Sequence, residues 1–297
     1  MADPRMIAVD WGTTRLRAWL VDADGAILDQ TAADDGIASV KPGDFPSTLR
    51  RHVGGWLARN PGLPVMMAGM VGSRNGWSEV PYAGCPAGAA ELAAGMLRFD
   101  LGEGSRAAIV PGLMSRDAAG LPDVMRGEET KLMGCGVTDG TVVMPGTHSK
   151  WARMSGGRIA SFTSYMTGDV FGAVKDHTMA GKLAEAPADE AGFARGLATA
   201  RAGGGLTHKL FSARTLVLAG ELPGRQVEPY LSGLLIGEEV AAGLAAHPGT
   251  SEVALVADGV FERAYGQAFA DNGIAVRVLA PDEVFIRGLL AIVHAAA

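Results

Sequence analysis

Residues 7–22, IAVDWGTTRLRAWLVD, decide the architecture of this chain. The apolar run over residues 6–10 stops at Asp10, and a Trp-Gly-Thr-Thr turn follows. Residues 15–21 then alternate in period 2 through Leu16, Ala18 and Leu20, the mark of a strand with one buried face. Asp24-Gly25 is a strong hairpin signal, and residues 26–30 read as the return strand. The opening is therefore a β-meander of strand, polar Gly/Thr turn, strand, turn and strand.

The same layout returns close to half-way along the 297 residues. TVVM at 141–144 is an apolar strand, followed by Pro145-Gly146-Thr147-His148-Ser149, a strand over 150–154, a Gly156-Gly157 turn and a strand over 159–162. Self-similarity on this scale implies a duplicated fold. It predicts two α/β domains, residues 1–137 and 138–297, with the last helix packing back on the first. Further helices are expected over 46–59, 87–97, 128–135, 170–177, 193–202, 230–245, 260–272 and 282–296, and further strands over 64–70, 107–111, 252–257 and 274–279. The segment 231–242, with Gly233 and Gly237 four apart, reads as a close-packing interdomain helix. Residues 202–206 are Gly-rich, and no other stretch resembles a linker.

Composition narrows the function. The net charge is −6 and Lys and Arg are scattered, which argues against nucleic acid or an anionic membrane as partner, since both want a concentrated basic surface. Two cysteines, Cys85 and Cys135, make no CxxC pair and no disulfide framework, so a reducing cytoplasm is expected, with both thiols acting as small buried hydrophobes. The N-terminus lacks the basic and apolar segments of a signal peptide, and no run reaches the ~20 apolar residues that span a bilayer. A homodimer is the simple expectation for a cytoplasmic enzyme.

An acidic protein that binds anions must do so locally. A Gly-containing turn lets backbone N–H groups approach an anion, and a Thr hydroxyl adds a donor in the same concavity. Gly12, Thr13 and Thr14 form one such turn and Gly146 and Thr147 the other, so the pair can grip a polyphosphate. Asp10, beside the first turn, is placed to act on a phosphate-bound Mg²⁺ through water. Taken alone such an Asp often only caps a turn; the duplication gives it weight.

IAVDWGTTRLRAWLVD resembles the first phosphate motif of the actin/hexokinase/sugar-kinase superfamily. Together DWGTT, MAGMVGSRNGW, MRGEET, MPGTHSKW, MTGD and LSGLLIGEE resemble the 2-dehydro-3-deoxygalactonokinases. The resemblance implies two ribonuclease H-like domains with mixed sheets and an interdomain cleft, ATP and Mg²⁺ as cofactors, and phosphorylation of 2-dehydro-3-deoxy-D-galactonate at its C6 hydroxyl. Kinases of this class place a carboxylate ahead of the second phosphate motif. Here Glu128 and Glu129 stand there at a helix start, with Glu128 preferred as base, Glu129 behind it and Asp169 of MTGD as rival. Acids are favoured in a first helical turn anyway, so a structural role for both remains open.

The loop with Ser73, Arg74, Asn75 and Trp77 offers a polyol donors, acceptors and one aromatic face. A surface loop anchored by a buried Trp explains it equally well. Arg126 is the preferred clamp for the substrate carboxylate and Arg74 the alternative, because a guanidinium pairs bidentately with a carboxylate. His148 and Lys150 flank the second turn and can touch phosphate. Asp258-Gly259 matches the adenosine-binding turn of the superfamily with one of its two glycines. Two other functions compete: a kinase for another sugar or sugar acid, and a non-catalytic ATP switch of the same fold. A phosphatase is the third and weakest.

Overall fold

The computed structural model describes residues 3–102 and 104–296. They form two compact units. One comprises the chain up to Asp139, the segment Met154–Phe162 and everything from Ala280 onward; the other comprises Gly140–Arg153 and Thr163–Leu279.

The chain opens with β1 (Pro4–Trp11), β2 (Leu16–Asp22) and β3 (Ile27–Ala33), then α1 (Phe45–Arg59) and β4 (Val65–Ala68). Next come β5 (Ala83–Gly84), α2 (Ala89–Ala94), β6 (Leu97–Gly102), β7 (Ser105–Ile109), β8 (Leu113–Arg116), β9 (Pro122–Met125) and α3 (Glu128–Gly134). The main sheet has the order β3-β2-β1-β4-β7-β6. β1 pairs antiparallel with β2 and parallel with β4, which pairs parallel with β7. A central parallel strand is covered on both faces, and Ile7, Ala8 and Val9 are fully buried accordingly. Three short strands, β5-β8-β9, make a second sheet.

β10 (Gly140–Met144), β11 (Ser149–Ser155) and β12 (Arg158–Tyr165) come next, with β10, residues 149–153 of β11 and residues 163–165 of β12 in the second unit. α4 (Thr167–His177), α5 (Ala191–Ala200), α6 (Leu206–Leu218) and α7 (Val227–Ala246) follow, then β13 (Glu252–Val256), α8 (Gly259–Ala270) and β14 (Ala275–Leu279). The five-stranded sheet has the order β12-β11-β10-β13-β14. In both large sheets three consecutive strands lie side by side in reverse order and a parallel strand continues from the first of them. The expected duplication is thus a duplication of topology, and the fold is the expected pair of α/β units with mixed sheets. The chain closes with α9 (Pro281–His294), which belongs to the first unit.

Several local expectations need correction. The helix predicted over 87–97 is only α2, because Leu97 already starts a strand. Residues 202–205 are a turn and not a linker, and α6 follows them, unforeseen. α7 packs on α5 inside the second unit, where Gly233 approaches the Phe193 backbone and Gly196 that of Tyr230. Cys135 is buried as expected, but Cys85 is only half-buried.

Candidate active site

In the first unit three chain turns converge on Asp10. Gly69, just past β4, has φ 98°, and a Cβ there would lie 2.8 Å from the Trp11 carbonyl oxygen and 3.3 Å from Asp10 Oδ1. Gly127, before α3, has φ 106°, and its Cβ would lie 3.1 Å from Gly69 Cα. Only glycine combines that backbone with that approach. The end of β1, the end of β4 and the start of α3 therefore stack without intervening side chains.

Charge is concentrated at this point. Arg17 Nη2 donates to Asp10 Oδ2 at 2.6 Å, while Arg17 Nη1 donates to Asp282 Oδ1 of α9 at 2.5 Å. Lys131 Nζ stands 3.8 Å from Asp10 Oδ2. Lys131 and Asp282 went unnoticed in the sequence. Lys131 carried a signal, because it sits three residues beyond Glu128 and so on the same helix face. The Gly12–Thr14 turn closes with the Gly12 N–H on the Arg15 carbonyl at 2.9 Å. Its own carbonyls accept from Gly36, Ile37 and Ala38, and Thr13 and Thr14 are exposed. A turn whose acceptors are already used is suited to an anion.

The two candidate bases at the start of α3 differ sharply. Glu129 is fully buried, accepting the Gly127 N–H at 2.7 Å and the Thr130 hydroxyl at 3.1 Å. Burial, reinforced by the neighbouring Glu128 charge, pushes its carboxyl up to about 8. Such a side chain cannot touch a substrate, so Glu129 leaves the list of bases. Glu128 is partly exposed and its Oε2 accepts the Arg126 backbone N–H at 3.1 Å.

The sugar loop divides too. The partly buried Trp77 ring packs against Trp11, Phe45 and Phe99, with ring centres 5.0–6.4 Å apart, so it helps to anchor the loop on the core. Ser73 spends its hydroxyl on the Met70 carbonyl. Arg74 and Asn75 are exposed at the loop tip. Arg126 lies 4.4 Å from the Tyr82 ring centre and donates through Nη2 to the Val80 carbonyl at 2.8 Å. Its Nε and Nη1 are shielded from solvent and without an acceptor. In this conformation Arg74 is the more accessible guanidinium.

In the second unit the Gly146–His148 turn sits against the N-terminus of α4. The Asp169 N–H donates to the Thr147 carbonyl at 3.2 Å, and His148 Nε2 lies 2.6 Å from Asp169 Oδ2. Asp169 is thereby engaged with the phosphate turn, which weakens it as a rival base. A cavity of about 740 Å³ has Gly146, Thr147, Thr167 and Gly168 in its lining. Phe171, Pro229, Ile236, Val260 and Phe261 line its apolar part, and Glu190, Glu228, Ser232, Arg263 and Gln267 supply polar groups. Val260 and Phe261 are 69% and 43% exposed. Asp258 and Gly259, the expected adenosine turn, are exposed at the start of α8; the cavity is lined from Val260 onward instead.

The family model described as 2-keto-3-deoxy-galactonokinase matches residues 10–292. The chain belongs to the 2-keto-3-deoxy-galactonokinase family. A curated relative, the 2-dehydro-3-deoxygalactonokinase of Escherichia coli K12, is 36% identical over 99% of each chain. A solved structure, titled a putative 2-dehydro-3-deoxygalactonokinase from Sinorhizobium meliloti, superposes with a TM-score of 0.88 at 34% identity over 98% of each chain. A putative N-acetylglucosamine kinase from Porphyromonas gingivalis, at 15% identity and a TM-score of 0.53, shares the fold alone. Like the other 2-keto-3-deoxy-galactonokinases this chain is a kinase of the actin/hexokinase-like fold. No helix among its described residues is long and apolar enough to cross a membrane.

Proposed function

We propose that this protein transfers the γ-phosphoryl group of ATP to the C6 hydroxyl of 2-dehydro-3-deoxy-D-galactonate. The observation that carries this is the cavity of the second unit. Its lining includes a Gly-Thr turn and the start of an 11-residue helix, where N–H groups and the helix dipole favour phosphate. The rest is an apolar slot with carboxylates, the combination that suits a purine and its ribose hydroxyls. The first unit supplies the second Gly-Thr turn and the carboxylates for the acceptor side.

Phosphoryl transfer is mostly positioning and charge stabilisation. Glu128 accepts the proton of the attacking hydroxyl, and Thr13, Thr14, Thr147 and His148 donate to phosphate oxygens. Asp10 fits a Mg²⁺ ion only through water. Its Oδ2 is already held by Arg17, and no group of three His, Cys, Asp or Glu side chains among the described residues could cage a metal. Such an ion, held on the triphosphate with Asp10 reaching it through water, would supply neutralisation of developing charge. The substrate carboxylate pairs with Arg74, or with Arg126 once Tyr82 moves aside. The setting in D-galactonate breakdown and in the cytoplasm, and a dimeric state, belong to the same proposal.

The test is sugar-dependent ADP release with Mg-ATP, comparing 2-dehydro-3-deoxygalactonate, its gluconate epimer and several hexoses, on wild type and Glu128→Gln. Turnover on the galactonate derivative should dominate. The variant should lose about 10²–10⁴-fold, the usual worth of a general base, while still binding ATP. A preferred hexose would move the substrate assignment, and slow ATP hydrolysis indifferent to sugar would point to a switch protein. Full turnover by Glu128→Gln would remove Glu128 as base.

A further inference from the structure

Two adjacent carboxylates, Glu238 and Glu239, stand in the middle of α7 and engage different partners. Glu238 Oε1 accepts from Lys209 Nζ at 2.6 Å, and the same ammonium donates to the Ala200 carbonyl, tying α6 and α5 to α7. Glu239 is 3% exposed and binds no lysine in that way. Its Oε1 accepts the indole N–H of Trp151 at 2.9 Å and its Oε2 the hydroxyl of Tyr265 at 2.6 Å. The Tyr265 oxygen is also 3.0 Å from Ser149 Oγ. Since the Tyr265 hydrogen is committed to the carboxylate, Ser149 donates, and the chain of bonds runs from Ser149 through Tyr265 to Glu239. Burial, with the Glu239 charge beside it, holds the Tyr265 hydroxyl well above its usual range, so it remains a donor at any working pH.

The places of these three partners give the network a use. Ser149 is the first residue of β11, directly after Thr147 and His148 of the phosphate turn. Trp151, two residues on, is on the same strand face and is likewise fully buried. Tyr265 lies on α8, lines the cavity, and sits one helical turn after Phe261 of its apolar wall. A carboxylate in an apolar core costs stability against a well-packed hydrophobic residue, so folding alone is poorly served by it. What it does secure is one spacing between the turn that holds phosphate and the helix that covers the base.

We propose that Glu239 is a positioning residue for the nucleotide: through Tyr265 and Ser149 it sets the distance between the Gly146–His148 turn and α8, so that both ends of a nucleoside triphosphate are met at once. This rests on the assignment of ATP to the second-unit cavity. It separates the binding of a whole nucleotide from the binding of its phosphate part. A ligand that touches only the turn does not sample that distance.

The experiment is calorimetric titration of the full-length protein with ATP and with inorganic tripolyphosphate, on wild type, Glu239→Gln, Tyr265→Phe and the control Glu238→Gln. Each is paired with KM values for ATP and for the sugar acid. Glu239→Gln and Tyr265→Phe should weaken ATP about tenfold, the lower end for a charge-assisted hydrogen bond. Tripolyphosphate affinity and the KM for the sugar acid should stay within about twofold. Glu238→Gln should melt earlier and bind ATP as wild type does. Equal ATP affinity in a folded Tyr265→Phe overturns the proposal, and so does an ATP loss matched by tripolyphosphate or by Glu238→Gln. Should Glu239→Gln fail to fold, Tyr265→Phe decides. A wild type that does not bind ATP brings down the cavity assignment with it, whereas tight wild-type binding with unaffected variants removes this inference alone.

Discussion

Glu129 and Glu128 are neighbours in sequence with opposite fates, because consecutive helical residues face different directions. Glu129 turns into the core, where water is absent and a like charge is adjacent, and its carboxyl rises from 4.5 to about 8. The folded protein therefore holds a proton there that the unfolded chain gives up above its ordinary carboxyl range. Stability from this residue is fully present below about pH 4.5, declines through the window up to about 8, and is constant beyond. Glutamine fits the same place: its oxygen can accept the Gly127 N–H and its amide can donate to Thr130. Glu129→Gln should thus melt progressively higher than wild type as pH is raised from 5 to 8.5, with the gap levelling off near the top. A gap independent of pH would show that Glu129 is ionised in the folded protein.

The elements that carry the first-unit site are held by a helix crossing without side chains. A Cβ on Gly288 of α9 would fall within bonding distance of the Thr130 carbonyl of α3, and one on Gly134 would strike the Val284 carbonyl in return. On an exposed helix Gly→Ala stabilises by ~1 kcal/mol; here overpacking of 1–3 kcal/mol or more acts against it. Gly288→Ala should lower stability by about 2 kcal/mol in denaturant titration and reduce kcat, since α3 carries Glu128 and Lys131. A variant as stable as wild type would mean that the two helices separate freely. The contrast with the sequence is instructive at this scale. Both β-meanders were legible because alternation and a Gly-Thr turn are local signals. β5, β8 and β9 were not, since strands of two to four residues have no period to read. α6 was hidden by the glycines before it and by a weakly amphipathic face. Of the site, Asp10 and both turns lie in contiguous motifs, whereas Asp282 reaches Arg17 from 265 residues away, Tyr265 reaches Ser149 from 116, and no spacing rule links them.

At the scale of the molecule, each unit has its own hydrophobic core, so each can melt and be stabilised by its own ligand. The tryptophans divide unevenly: Trp11, Trp19, Trp56 and Trp77 belong to the first unit and Trp151 to the second. Tryptophan fluorescence of the wild type therefore reports mainly the first unit, while calorimetry reports both. A non-hydrolysable ATP analogue at 100 times its Kd adds about 2.7 kcal/mol to whatever it binds, a rise on the order of 10 °C for a unit of this size. With ATP in the second unit, the analogue should raise a calorimetric transition and leave most of the fluorescence transition in place. If the first unit binds the sugar acid, that ligand should move the fluorescence transition. Sugar acid acting only on the calorimetric transition would reverse the assignment of ligands to units. Equal shifts by both probes with the analogue alone would mean that the units unfold as one.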